Sequence, residues 1–308
     1  MTTGPDFGLA ARWETTMSTV TEIVVGVDGS PSAQHAVTWA AHEAELHGYR
    51  LQLMSSYASP VSARVPPSYE EALRASAERD VAEARTIAQA ALDDAEAIDI
   101  SIEVASGAPI PELLTRSETA KMVVVGSRGL GAMSRALLGS VSAAMTAHCR
   151  CPLAVVRDAR SAPATAPIVV GTDGSRANRP ALEFAFEEAG VRKVGLTVLH
   201  AWADGDLALI HASQGMPLWD WPTQRSEQKA RLDAEIAYLC AKYPDVPIRS
   251  VVVRDRPVRA LLDHAQAAQM VVVGSRGRGG FSGMLLGSTS RNVVYSAQCA
   301  VVIVPDGR

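Results

Sequence analysis

Apolar positions along the chain come in two rhythms. Short runs without polar alternation, Ile23–Val27, Met122–Val125, Ile168–Thr172 and Met270–Val273, have the pattern of parallel strands buried on both faces. Between them, the Ala-rich stretches Ala33–His47 and Ala177–Ala189 place apolar residues at helical spacing. Further strands are predicted at Leu51–Ser55, Ile100–Ala105 and Leu153–Val156, and again at Leu196–His200, Ile248–Val253 and Ala300–Val304. Charged helices are predicted at about Tyr69–Ala95 and Gln224–Lys242. Pro-initiated helices end near Ala120 and Ala268, and the last helices start at Ser140 and Ser288. Each half thus alternates five strands with four helices. That order predicts an α/β fold of two tandem, doubly wound, five-stranded sheets of parallel type, Rossmann-like in architecture.

The halves are copies. Met122-Val-Val-Val-Gly-Ser-Arg-Gly129 recurs letter for letter as Met270-Val-Val-Val-Gly-Ser-Arg-Gly277, and the same Leu-Leu-Gly-Ser follows each, ending at Ser140 and Ser288. The repeat divides the chain into a tail (1–20), a first unit (21–158), an Ala/Pro-rich linker (159–166) and a second unit (167–308). Two units of about 150 residues suit a chain of 308 residues. Each last strand is a Val-rich edge, so the two are expected to pair, within the chain or between chains.

Composition narrows the function. Apolar residues make up 47% and charged residues 20%, a globular balance, and the net charge of −4 offers no overall basic field for nucleic acid. No apolar run approaches the ~18–20 residues that span a bilayer, and Met1–Val20 lacks the pattern of a signal peptide. A cytoplasmic protein without membrane or nucleic-acid partners is expected. Cys149, Cys151, Cys240 and Cys299 read as small buried thiols, with redox sensing at Cys149-Arg-Cys151 as the alternative. The seven histidines show no zinc spacing; His200 is expected near the site and the others at the surface.

Chemistry concentrates where apolar strands break into glycine. A strand ending at Gly126-x2-Gly129, followed by Gly139-Ser140 at a helix start, exposes backbone N–H groups and the positive end of a helix dipole. This suits phosphate. The second unit repeats it as Gly274-x2-Gly277 and Gly287-Ser288. Both first strands end in Asp-Gly-Ser, at Asp28 and Asp173, where a carboxylate can accept from an exocyclic amine or cap the next helix. The chain has neither a dinucleotide fingerprint after its first strand nor a P-loop, and no identifiable catalytic base or nucleophile.

The pattern Gly-x2-Gly-x9-Gly-Ser, with these aspartates and this strand order, resembles the ATP-binding signature of the universal stress protein family over both units. The resemblance implies an adenine nucleotide alpha hydrolase-like fold and ATP at two sites per chain, with Mg2+ accompanying the phosphates. Asp28 and Asp173 would contact adenine, flanked by Gly26, Val27, Gly171 and Thr172 and assisted by backbone at Ser56 and Ala201. Gly126 and Gly274 would lie against ribose and the first phosphate. The outer phosphates would fall to Gly129, Gly139, Ser140, Val141 and Ser142, and to Gly277, Gly287, Ser288, Thr289 and Ser290. Arg128 and Arg276 would add mobile positive charge. Base and phosphate subsites are thereby expected to be separable by mutation.

The leading expectation is a nucleotide-responsive regulator without catalysis, a homodimer acting on an unidentified protein partner. A slow ATPase or autophosphorylating protein, using Ser140, Ser142 or their counterparts, is the rival. The excursion Ala201–Pro222, with Trp202, Trp219 and Trp221, is either a lid over its own unit or a partner surface.

Overall fold

The computed structural model describes residues 21–59, 66–94, 96–129, 138–157, 162–202, 221–254, 256–277 and 286–306. The tail, most of the Trp-rich excursion, His211 and the stretches 130–137 and 278–285 after the glycine loops lie outside them. The first unit runs β1 (Glu22–Gly26), α1 (Pro31–His47), β2 (Arg50–Tyr57), α2 (Pro67–Ala91), β3 (Ile100–Ser106), α3 (Pro109–Arg116), β4 (Met122–Gly126), α4 (Ser140–His148) and β5 (Leu153–Val156). The second runs β6 (Ile168–Thr172), α5 (Arg179–Arg192), β7 (Leu196–Trp202), α6 (Trp221–Lys242), β8 (Ile248–Arg254), α7 (Pro257–Ala265), β9 (Met270–Gly274), α8 (Ser288–Ser296) and β10 (Ala300–Val304).

Strand order is β3-β2-β1-β4-β5-β10-β9-β6-β7-β8, one continuous ten-stranded sheet. Every neighbouring pair is parallel except β5 and β10, which run antiparallel with Val155 opposite Val301, Ala154 opposite Val302 and Leu153 opposite Ile303. The two Val-rich edges therefore cover each other within the chain. Arg157, just past β5, ties the seam further by donating to the carbonyls of Val294 and Tyr295 at the end of α8.

Helices cover both faces of the sheet, so β4 and β9 are buried along their whole length, as their unbroken Met-Val-Val-Val-Gly demands. One core face holds Ile23, Val25, Leu51, Leu53 and, across the seam, Phe186; the other holds Val24, Val123, Val125, Val271 and Ile303. Burying a side chain such as Phe186 contributes about 1.5–3 kcal/mol.

The first helices of the two units begin differently. Ser30 caps α1 by accepting the Ala33 N–H at 3.2 Å, with Pro31 at the first turn. The matching stretch of the second unit forms a 3-10 turn, Arg176–Asn178, and the α-helix starts only at Arg179. The expected helix from Ala177 is thus delayed. One expectation about histidine also fails: the His47 side chain is only 8% exposed, because α1 and α5 pack together there.

Candidate functional site

The site in each unit lies beyond the carboxyl ends of the strands, where β1 and β4, or β6 and β9, diverge in sequence order. In the first unit a cavity of about 450 Å3 is lined from four directions. The end of β1 gives Gly26, Val27 and Asp28; the end of β2 gives Ser56 and Tyr57; α2 gives Leu73, Ser76 and Asp80; and the glycine loop with α4 gives Gly126, Arg128, Gly129 and Gly139–Ser142.

The floor is held by short bonds among the loops. Asp28 Oδ1 accepts the Ser30 N–H at 3.1 Å, which is the capping role, and leaves the carboxylate within the cavity lining. Gly139 N–H donates to Ser127 O at 2.8 Å and so pins the start of α4 to the end of β4. The first intrahelical bond of α4 runs from Ala143 N–H to Gly139 O, and Gly139 carries no side-chain cap. The N–H groups of Ser140, Val141 and Ser142 precede that bond and have no helical acceptor. They form a ready anion site at a helix N-terminus.

The Ser142 hydroxyl does not face outward. It is buried and donates to Gly126 O at 2.6 Å, fixing the strand to the helix, and Ser290 repeats the contact with Gly274 O at 2.6 Å. Gly129 makes room for the aspartate: a Cβ there would come within 2.5 Å of Asp28 Oδ2, so the loop glycine is what admits the carboxylate. At Gly277 the corresponding approach to Asp173 Oδ2 is 2.9 Å.

Ser56 Oγ is buried at this cavity without a hydrogen-bond partner. Asp80 was not foreseen: partial burial and the neighbouring charge of Asp28 push its carboxyl pKa up. Its counterpart in the repeat is Glu235, since the buried positions Ala77, Val81 and Ala84 of α2 match Leu232, Ile236 and Leu239 of α6. An acid at equal places in both charged helices was the available signal.

The second unit brings together Gly171, Thr172, Asp173, Ala201, Gly274, Arg276, Thr289 and Ser290 around a cavity of about 80 Å3. Gly287 N–H donates to Ser275 O at 2.8 Å, and the N–H groups of Ser288–Ser290 precede the first bond of α8, from Arg291 to Gly287 O. Arg276 lines this cavity. Its guanidinium pairs with Asp306 at 2.7 Å. His200 Nδ1 lies 3.0 Å from Thr172 O, near the site as expected but in a separate cavity.

Elsewhere, Cys151 and Cys299 are buried, and burial pushes the Cys299 thiol up to about 11; Cys149 Sγ lies 3.9 Å from Cys151 Sγ. Among the described residues no helix is long and apolar enough to cross a membrane.

Both units match the family model described as the universal stress protein family, over residues 19–157 and 165–305. The chain is 40% identical over 300 residues to the universal stress protein Rv1996 of Mycobacterium tuberculosis, an alignment covering 91% of this chain and 94% of that one. It is 38% identical over 288 residues to Rv2623 of the same organism, covering 91% and 95%. Among solved structures, a universal stress protein from Archaeoglobus fulgidus superposes with a TM-score of 0.72 at 20% identity, over 94% of this chain and 99% of that one. At that identity the likeness is one of fold.

Proposed function

Because the chain belongs to the universal stress protein family, we propose that it binds ATP or another adenine nucleotide in the first unit's cavity and acts as a nucleotide-responsive regulator. One observation carries this reading. A single cavity joins a carboxylate and an unpartnered hydroxyl, Asp28 and Ser56, to a helix start with three open N–H groups. A carboxylate accepts from the adenine amine, and the N–H groups suit phosphate. About 450 Å3 lies in the range of small-molecule sites. Mg2+ enters on this reading as the counter-ion of the phosphates.

Binding rather than catalysis is favoured by Ser142, whose hydroxyl proton is committed to Gly126 O. The regulatory step is linkage: nucleotide stabilises the form that binds it, by about 2.7 kcal/mol at a hundredfold excess over Kd, and shifts which surface a protein partner meets. Titration of nucleotide-free protein with ATP, ADP, AMP and GTP tests this. Saturable binding of adenine nucleotides is expected. No saturable binding of any adenine nucleotide at millimolar concentration would overturn it.

A further inference from the structure

The two glycine loops are alike, yet the cavities beside them are not. Strand and loop match residue for residue from Met122 to Gly129 and from Met270 to Gly277, but the first cavity measures about 450 Å3 and the second about 80 Å3. The difference therefore arises outside the motif.

Its source is the segment after the first-strand aspartate. In the first unit the backbone of α1 packs directly on the strand end: a Cβ at Gly126 would lie 2.6 Å from the Ser32 carbonyl carbon and 2.8 Å from Ala33 N. In the second unit the residue matching Ala33 is Asn178, and the nearest atom to a Cβ at Gly274 is Asn178 Nδ2, at 2.8 Å, with Asn178 Cα at 3.7 Å. The 3-10 turn holds the chain off the strand, and the side-chain amide fills the space. Asn178 is 4% exposed and lines the small cavity, and its Oδ1 is buried without a hydrogen-bond partner. No bond through Oδ1 would be lost on truncation.

The lining is divided accordingly. Tyr57, Ser76 and Asp80 share one cavity with Gly139–Ser142, whereas their counterparts Trp202, Arg231 and Glu235 line a separate cavity that includes no residue of the second glycine loop. What is left beside Ser290 holds a small anion or a few waters, not a base and ribose.

We infer that Asn178 closes the second unit's glycine-loop cavity to nucleotide, so that the chain binds one nucleotide, in its first unit. This rests on the proposed function and narrows it. The test is calorimetric stoichiometry with ATP on the nucleotide-free full chain and on Asn178→Ala, with Asn178→Ser as the milder truncation should Asn178→Ala fold poorly by circular dichroism. One ATP per chain is expected for the parent and two for a folded truncation, and adding Asp28→Ala to the truncation should weaken one of its two sites at least tenfold and spare the other. Two ATP per parent chain would overturn the inference while leaving the proposed function standing, as would a folded truncation that still binds one. No binding by any of these proteins would overturn both.

Discussion

His47 Nε2 lies 3.0 Å from Glu188 Oε1, and the contact crosses from the first unit to the second. Glu43 and Glu188 occupy the same place in the two copies, as do His47 and Arg192, so docking α1 against α5 brings two carboxylates and two basic groups together. Arg192 donates to both oxygens of Glu43 and, at 3.2 Å, to Glu188, and its other nitrogen reaches Gln269 at 3.1 Å. Tyr49 stacks on His47 with centroids 5.0 Å apart. Burial alone would lower the imidazole pKa, but the adjacent carboxylates of Glu188 and Glu43 outweigh it and hold it at about 10. Burial likewise opposes ionisation of Glu43, and its contacts with His47 and Arg192 bring its pKa below the usual value. The cluster is thus close to neutral when His47 is charged.

Stability should follow that charge. The folded-state pKa of His47, about 10, exceeds its ordinary 6.5, so its contribution is fully present below pH 6.5 and disappears as pH rises through about 10. Urea unfolding of the parent should weaken more steeply than that of His47→Gln between pH 7 and 10.5. At pH 7 the variant should be less stable by about 3 kcal/mol, since a buried carboxylate loses its partner. Parallel profiles would show that the imidazole is not the titrating group.

Asp28→Ala should weaken adenosine and ATP alike, by about 1.5–3 kcal/mol or roughly ten- to hundredfold, with the fold retained. Gly129→Val should do the same, because its Cβ would displace the Asp28 carboxylate. On the proposed binding mode, the base and phosphate subsites expected from sequence to be separable would be coupled at this pair. Competition binding of both ligands to both variants decides it; a Gly129→Val variant with parent affinity for adenosine would contradict the coupling.

Lys193 closes α5 at φ 55°, the left-handed conformation that Gly48 supplies at the end of α1. Its side chain is exposed. Lys193→Gly should stabilise the chain by about 1 kcal/mol, measured by urea unfolding, because a Cβ is strained there. A lower midpoint would mean that the lysine contributes contacts that outweigh the strain.

Val302 sits at the centre of β10, between β9 and β5. Val302→Pro removes a backbone donor from an interior strand and should cost about 3 kcal/mol or more. Thermal unfolding monitored by circular dichroism with an unchanged midpoint would contradict the seam.

Much of this was legible in the residues themselves. Unbroken apolar runs announced β4 and β9 because burial on both faces leaves no room for alternation, and Gly139-Ser140 marked a helix start within one residue. The edge character of Leu153–Val156 and Ala300–Val304 foretold their pairing, and the family resemblance favoured the two units of one chain as the partners. Asn178 escaped notice because a single residue in a capping segment changes no periodicity; only the position of the backbone beside Gly274 reveals that it fills space. The Glu43–His47–Glu188–Arg192 cluster escaped for another reason: helix spacing alone does not say which faces of α1 and α5 meet.

On the proposed function, an adenine nucleotide lies between Asp28 and the start of α4. A crystal structure of the chain grown with saturating ATP tests it most directly. Density is expected in the first unit's cavity, with the adenine amine within hydrogen-bond distance of the Asp28 carboxylate and phosphate oxygens on the N–H groups of Ser140–Ser142. Density with the base at the helix start, ATP bound elsewhere, or an empty first cavity at saturating ATP would contradict it.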